Sequence, residues 1–192
     1  MNKREHLASR IWKTERSRIL AEQRMLHYEM LAHFATIWYS FLLVVWSLFQ
    51  AQLHGSFRYS DQVNIALSVL VLVVSTVLYG LKFGEKASEY KACYHELQQL
   101  RSDLDAAKDV GIPDIESKYV EILRSSANHN DWDYQRLVVK MWLEGRAGEW
   151  DVKPPTAYKV FGYVVRWFLG KVIVFTIFAG PIVLAVLLFG RG

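Results

Sequence analysis

Residues 126–134, SANHNDWDY, bring together the side chains of this chain best suited to bind a metal or transfer a proton. His129, Asp131 and Asp133 could supply ligands to zinc, or pair as a general acid and base. A zinc site needs further ligands, yet the other histidines are scattered and form no second cluster. No GxSxG, HExxH, GxGxxG or P-loop motif supplies a nucleophile or a phosphate site. We therefore expect a non-enzymatic protein with no catalytic residue, no metal and no other cofactor.

The same segment has the composition of a helix start. Asn128 and Asp131 are preferred N-cap residues, because their side-chain oxygens accept hydrogen bonds from the free amides of the first turn. Asp133, within that turn, is favoured by the positive end of the helix dipole. We expect His129 to fix the corner by hydrogen bonding and Tyr134 to close a helical bundle. A functional role for this motif stays open as the alternative.

Three long apolar blocks dominate the rest of the chain. They cover residues 34–53, 63–81 and 172–190, and none contains a charged residue. Each is close to the ~20 residues that a helix needs to cross a ~30 Å hydrocarbon layer. The sequence therefore predicts a multi-pass membrane protein. Gly180 and Pro181 interrupt the third block, so a re-entrant or interfacial segment is the alternative there.

Basic residues predict the orientation of the spans. Seven Lys or Arg precede the first block, whereas Arg58 alone lies in the connection between the first and second blocks. The positive-inside rule places the N-terminus in the cytoplasm and the first connection outside the cell membrane. The basic N-terminal residues alternate with four glutamates, which is not typical of a protein that binds nucleic acid. Cys93 is the only cysteine, which excludes an intrachain disulfide.

The polar parts have helical periodicity and no strand pattern. Residues 1–33 form a charged cytoplasmic helix, with its apolar positions roughly along one side: Ile11, Trp12, Ile19, Leu26 and Met30. The region 82–156 begins with a heptad-like stripe of Phe83, Ala87, Tyr90, Tyr94, Leu97, Leu100 and Leu104. Residues 157–171 suit an amphipathic interfacial segment. The predicted fold is an all-α membrane protein, a transmembrane helical hairpin extended into a cytoplasmic helical bundle, with a third C-terminal transmembrane helix.

Each of the first two spans has a thin polar stripe on one helical face. The stripe is formed by Thr36, Ser40, Ser47 and Gln50 in the first span, and by Asn64, Ser68, Ser75 and Tyr79 in the second. In an assembly of several subunits these residues could line a weakly selective pore, because neither stripe has a formal charge. The alternative is that small hydroxyl residues let the helices approach closely and bond to one another.

Several segments, in their order and spacing, resemble the SLATT family of SMODS and SLOG-associating two-transmembrane effector domains. They are residues 11–26 (IWKTERSRILAEQRML, with Trp12, Arg16 and Arg18), Tyr39-Ser40, Tyr79-Gly80, residues 89–100 (EYKACYHELQQL), and residues 119–134, which contain Asn128-His129 and Asp133-Tyr134. The resemblance covers roughly residues 7–142. The family name implies two spans, so the third apolar block departs from the pattern.

The resemblance implies a bacterial inner-membrane protein of a defence or conflict system. Such a protein would permeabilise or depolarise the membrane, as a homo-oligomer in the lipid bilayer, when a sensor or nucleotide-signalling protein triggers it. The alternative is a membrane-anchored adaptor or scaffold that docks a partner through its cytoplasmic helices. The activating signal and the number of subunits are not encoded in a recognisable pattern.

Overall fold

The computed structural model describes residues 2–52, 60–107, 111–125 and 131–189, with side chains except at 50–52, 60–61 and 184–189. Asn128, His129 and the side chain of Gln50 therefore lie outside the described residues. The described chain contains no strand, which confirms the predicted all-α class. Its α-helices are α1 (Lys3–Gln52), α2 (Ser60–Gly80), α3 (Phe83–Ala106), α4 (Ile112–Ser125), α5 (Asp131–Leu143) and α6 (Ala157–Phe189).

The chain divides into two compact units. The first, which we call the helical unit, comprises Met1–Leu26 and Gly84–Phe168; the second, the membrane unit, comprises His27–Phe83 and Leu169–Gly192. Helices α1 and α6 each contribute to both units without a break. The predicted interfacial segment 157–171 and the third apolar block 172–190 thus belong largely to one helix, α6, with Pro181 inside it.

The main apolar core of the helical unit joins α1, α3 and α4. Leu7 and Ile11 of α1 pack in one cluster with Leu97 and Leu104 of α3 and with Tyr119 of α4. In α3 the buried positions are Ala87, Tyr90, Cys93, Leu97, Leu100 and Leu104. Their steps of three and four match the predicted stripe, but the small Cys93 occupies the position that the prediction gave to Tyr94. The larger Tyr94 is only half-buried.

The single apolar stripe predicted for the N-terminal part of α1 is wrong. Leu26 and Met30 are 46% and 49% exposed, whereas Leu20 and Ala21 are buried. The reason is that α1 is covered on two sides. One side meets α3 and α4, and the other contributes to a second cluster: Trp12, Leu20, Leu137, Val138, Met141 and Val152.

The helix ends follow local chemistry. Arg4 donates from its Nη2 to the carbonyl oxygens of Leu104 and Asp105, at 2.8 and 2.7 Å, so α1 satisfies two of the free carbonyls that end α3. Pro113 is the second residue of α4, where its missing N–H costs no helical hydrogen bond.

Among the residues that the structure describes, three helical stretches are long and apolar enough to cross a membrane: Lys3–Phe49, Gln62–Ala106 and Ala157–Val183. The apolar window of each is unburied within the chain. A continuous apolar surface of this length requires lipid or another subunit to cover it. The predicted membrane class and its third apolar helix agree with this architecture.

Candidate functional site

A buried ion pair fixes the start of α5 against α1. Asp133 is 0% exposed in the first turn of α5. Arg24 of α1 donates to both of its carboxylate oxygens, from Nε to Oδ1 at 2.9 Å and from Nη2 to Oδ2 at 2.8 Å. This two-pronged geometry is the strongest form of carboxylate recognition available to a side chain. Asp133 lies in the first turn of α5, as the helix-dipole interpretation predicted. Its main partner is Arg24, which no sequence pattern singled out.

Further charged groups are buried along the same helix. Glu15 is 1% exposed and accepts hydrogen bonds from Arg101 Nη1 at 2.8 Å and Gln98 Nε2 at 3.2 Å. Arg18 is also 1% exposed, with its guanidinium 5.6 Å from the centre of the Tyr90 ring. Buried charges with specific partners are sensitive to displacement, because a shifted helix leaves a charge without compensation. The helical unit is therefore held in one register by polar contacts as well as by its apolar core.

Residues 145–152, which we call the Trp150 turn, pack against a further side of α1. The Trp150 ring stacks on that of Trp12, with centroids 5.2 Å apart and planes 7° from parallel. Ser9 Oγ donates to the Trp150 carbonyl oxygen, and Lys13 Nζ lies 3.6 Å from Asp151 Oδ2. Trp150 and Asp151 have φ angles of 53° and 57°. This left-handed conformation is rare for bulky residues, so the contacts with α1 must hold the turn in place.

The other two family-motif residues of α1 are Trp12, which is part of this contact, and Arg16, which lies beside it. Trp12 is buried under the Trp150 turn, while Arg16 is exposed and places its guanidinium 5.7 Å from the Trp12 ring centre. No sequence pattern predicted a role for Trp150. The local signal is the pair of glycines that precede it, since Gly145 and Gly148 have φ angles of 72° and 97° and so permit the turn.

A cavity of about 290 Å³ opens beside the Trp150 turn. Its lining residues are Tyr134, Val138, Asp151, Lys153, Pro154, Pro155 and Lys159. Burial raises the pKa of Tyr134, and the nearby Asp151 carboxylate raises it further. Tyr134 therefore keeps its proton at neutral pH and presents a hydroxyl donor. The cavity brings this motif residue together with two lysines to which the sequence analysis gave no role.

The predicted polar stripes of the spans are each divided between two environments. Thr36 in α1, and Asn64 and Ser75 in α2, are half-buried against neighbouring helices; the exposed positions are Ser40, Ser47, Ser68 and Tyr79. Thr36, Ser68 and Ser75 each donate their hydroxyl to a carbonyl of their own helix, at 3.0, 2.8 and 2.9 Å. Such bonds let hydroxyls persist in lipid without a partner helix.

Tyr39 links α1 to α6 within the membrane unit. Its hydroxyl donates to the carbonyl oxygen of Ile177 at 2.8 Å. Ile177 is four residues before Pro181, which has no N–H, so this carbonyl is the one left without its helical partner. Unsatisfied carbonyls are costly in hydrocarbon, and side-chain donors from neighbouring helices commonly compensate them. The bond thus allows Pro181 inside α6 and attaches α6 to α1.

Among the described residues, no group of three or more His, Cys, Asp or Glu is placed to hold a metal ion. Because His129 lies outside those residues, the prediction of no metal at the 126–134 segment stays a prediction. The expectation that the chain has no catalytic residue stays one as well.

The chain matches a known family. The family model for the SMODS and SLOG-associating 2TM effector domain family 5 matches residues 1–189. The match extends beyond the range 7–142 over which the sequence resembles the family, and it includes α6. The third apolar helix therefore lies inside the matched region. Searches of curated proteins and of solved structures found no match.

Proposed function

Since this chain belongs to the SMODS and SLOG-associating 2TM effector domain family 5, we propose that it is a non-enzymatic effector that permeabilises the bacterial inner membrane. Several copies would assemble in the bilayer, with the N-terminus in the cytoplasm. A sensor or nucleotide-signalling protein would trigger the assembly. The family's membrane-effector character and the three apolar helices support the membrane role.

The observation that supports a pore is the position of the hydroxyl residues within the spans. Ser40 and Ser47 are seven residues apart in α1 and lie on its exposed side, as does Ser68 in α2. Their neighbours on these faces are apolar, including Val44, which is 59% exposed. In a single chain these hydroxyls face lipid, where they make no favourable polar contact. Between copies of the chain they would form a polar lining with no formal charge, suited to weakly selective flow.

A membrane-potential assay in bacterial cells tests the proposal. Overexpression favours assembly by mass action even without the trigger, so the overexpressed wild-type chain should depolarise the cells. Ser40→Leu with Ser47→Leu should abolish depolarisation without reducing membrane insertion. The matched control, Ser40→Thr with Ser47→Thr, keeps both hydroxyls and should retain activity. If the leucine variant depolarises as fully as the wild type, these residues do not line a path.

The same assay separates the proposal from the adaptor alternative. A membrane-anchored scaffold that docks a partner through its cytoplasmic helices would leave the potential unchanged at every expression level. Depolarisation by the wild-type chain alone would count against that alternative.

A further inference from the structure

We propose that the cavity beside the Trp150 turn is a binding site for a small phosphate ester. The site would combine three groups that can hold a phosphate dianion: the ammonium groups of Lys153 and Lys159 and the hydroxyl of Tyr134. All three residues line the same cavity. A role of this site in regulating permeabilisation rests on the proposed function, whereas phosphate binding itself does not.

The charges around the cavity favour an anion. Asp151 is the one acidic residue in the lining, and Lys13 of α1 lies 3.6 Å from its carboxylate and offsets its charge. In the described part of the chain, no carboxylate lies within ion-pair distance of Lys153 or Lys159. Two uncompensated cations thus face a small cavity, and lysine is a common ligand of phosphate.

The donor set fits a phosphate better than a single carboxylate. Tyrosine is protonated at neutral pH, and burial and the Asp151 carboxylate raise the pKa of Tyr134 further, so its hydroxyl can donate. Each lysine has three donors, and the site can therefore address more than two acceptor oxygens. Lys159 is in the first turn of α6, where the helix dipole adds to the positive potential.

The remaining lining residues would contact the group attached to the phosphate. Val138, Pro154 and Pro155 are apolar, and the prolines have no N–H to donate. A volume of about 290 Å³ is at the lower end for small-molecule sites. It would admit a phosphate and a short organic group, which describes both a lipid headgroup and a small soluble phosphate ester.

The position of the cavity would couple binding to α1. Asp151 lines the cavity and also pairs with Lys13, and its neighbour Trp150 stacks on Trp12. Tyr134 follows Asp133, the partner of Arg24. An anion bound between these groups would add negative charge next to Asp151. It would therefore affect the contacts that the Trp150 turn and Asp133 make with α1.

Binding can be measured by thermal unfolding of the purified full-length chain in two arms. In the soluble arm the chain is in detergent micelles, with inorganic phosphate compared with sodium chloride at equal ionic strength. In the lipid arm it is in nanodiscs of phosphatidylcholine, with or without phosphatidylglycerol. The test variant is Lys153→Gln with Lys159→Gln. The control, Lys118→Gln with Lys140→Gln, removes two exposed lysines outside the cavity.

We expect the anion to raise the unfolding temperature of the wild type and of the control in at least one arm. The test variant should bind at least about tenfold more weakly and show little shift, because each charge-assisted contact is worth about one or two factors of ten. A response to phosphate identifies a soluble ester, and a response to phosphatidylglycerol alone identifies a headgroup. No response in either arm, or an equal shift in the test variant, would overturn the site. Normal binding without depolarisation would instead refute the proposed function.

Discussion

Replacing Asp133 with Asn tests how the helical unit is held together. The substitution keeps the size of the side chain and removes its charge, so the half-buried Arg24 guanidinium loses the carboxylate to which it is paired. Asp133 is 0% exposed and is bound through both oxygens at 2.8 and 2.9 Å. Breaking one side of such a buried pair typically costs about 3–5 kcal/mol. In a chain of this size that corresponds to a fall in unfolding temperature of about 6–20 °C.

The assay is thermal unfolding of the detergent-solubilised chain, and Glu144→Gln is the matched control. Glu144 pairs with Lys140 at 3.9 Å on the exposed side of the chain, so its loss should change stability by less than about 1 kcal/mol. The double variant Asp133→Asn with Arg24→Gln should recover part of the loss, since it also removes the guanidinium that has lost the Asp133 carboxylate. If Asp133→Asn unfolds within 2 °C of Glu144→Gln, taken as about the assay's resolution, the pair does not hold α5 to α1.

Two further substitutions probe other contacts. Tyr39→Phe should destabilise the chain by about 0.6–1.7 kcal/mol, the range for hydrogen bonds in membranes. In a Pro181→Ala background the loss should nearly vanish, because the new amide satisfies Ile177; an equal loss in both backgrounds would contradict the proposed bond. Because the folded-state pKa of Tyr134 is raised above its ordinary value of 10.0, its contribution to stability is complete below pH 10 and is lost as the pH rises further. Tyr134→Phe should reduce that alkaline loss in unfolding scans between pH 9 and 11, and an unchanged profile would exclude this role.

Local pattern was enough to predict the helices and the spans. The charge-free blocks, the three-and-four spacing in α3 and the Gly-Ile-Pro-Asp break at residues 111–114 are signals within short windows. Asp131 is the first residue of α5, close to the helix start that the polar residues of the 126–134 segment indicate. These features depend on periodicity and turn chemistry, which one sequence shows directly.

The missed features depend on contacts between distant parts of the chain. Arg24 and Asp133 are 109 residues apart in sequence, so no local pattern links them. The single stripe predicted for α1 was wrong because periodicity cannot show that a second set of helices covers the other side. The pairing of Tyr39 with Ile177 spans 138 residues, although Pro181 by itself indicated that one carbonyl would need a donor.

The candidate site also combines a residue indicated by local pattern with residues that only contacts between distant parts of the chain bring together. Tyr134 stood out in the sequence as part of a motif, but its neighbours Lys153 and Lys159 resembled ordinary solvated lysines. Only the return of the chain through the Trp150 turn brings them to one cavity. The strained backbone of Trp150 is likewise a consequence of tertiary contacts and not of its own propensity.

Pore formation can be tested by the ion conductance of the purified chain in a planar lipid bilayer. We expect discrete currents with weak ion selectivity, which the variant Ser40→Leu with Ser47→Leu does not produce and the threonine control does. A wild-type chain that inserts and assembles yet leaves the bilayer electrically silent, with and without its trigger, would contradict the claim.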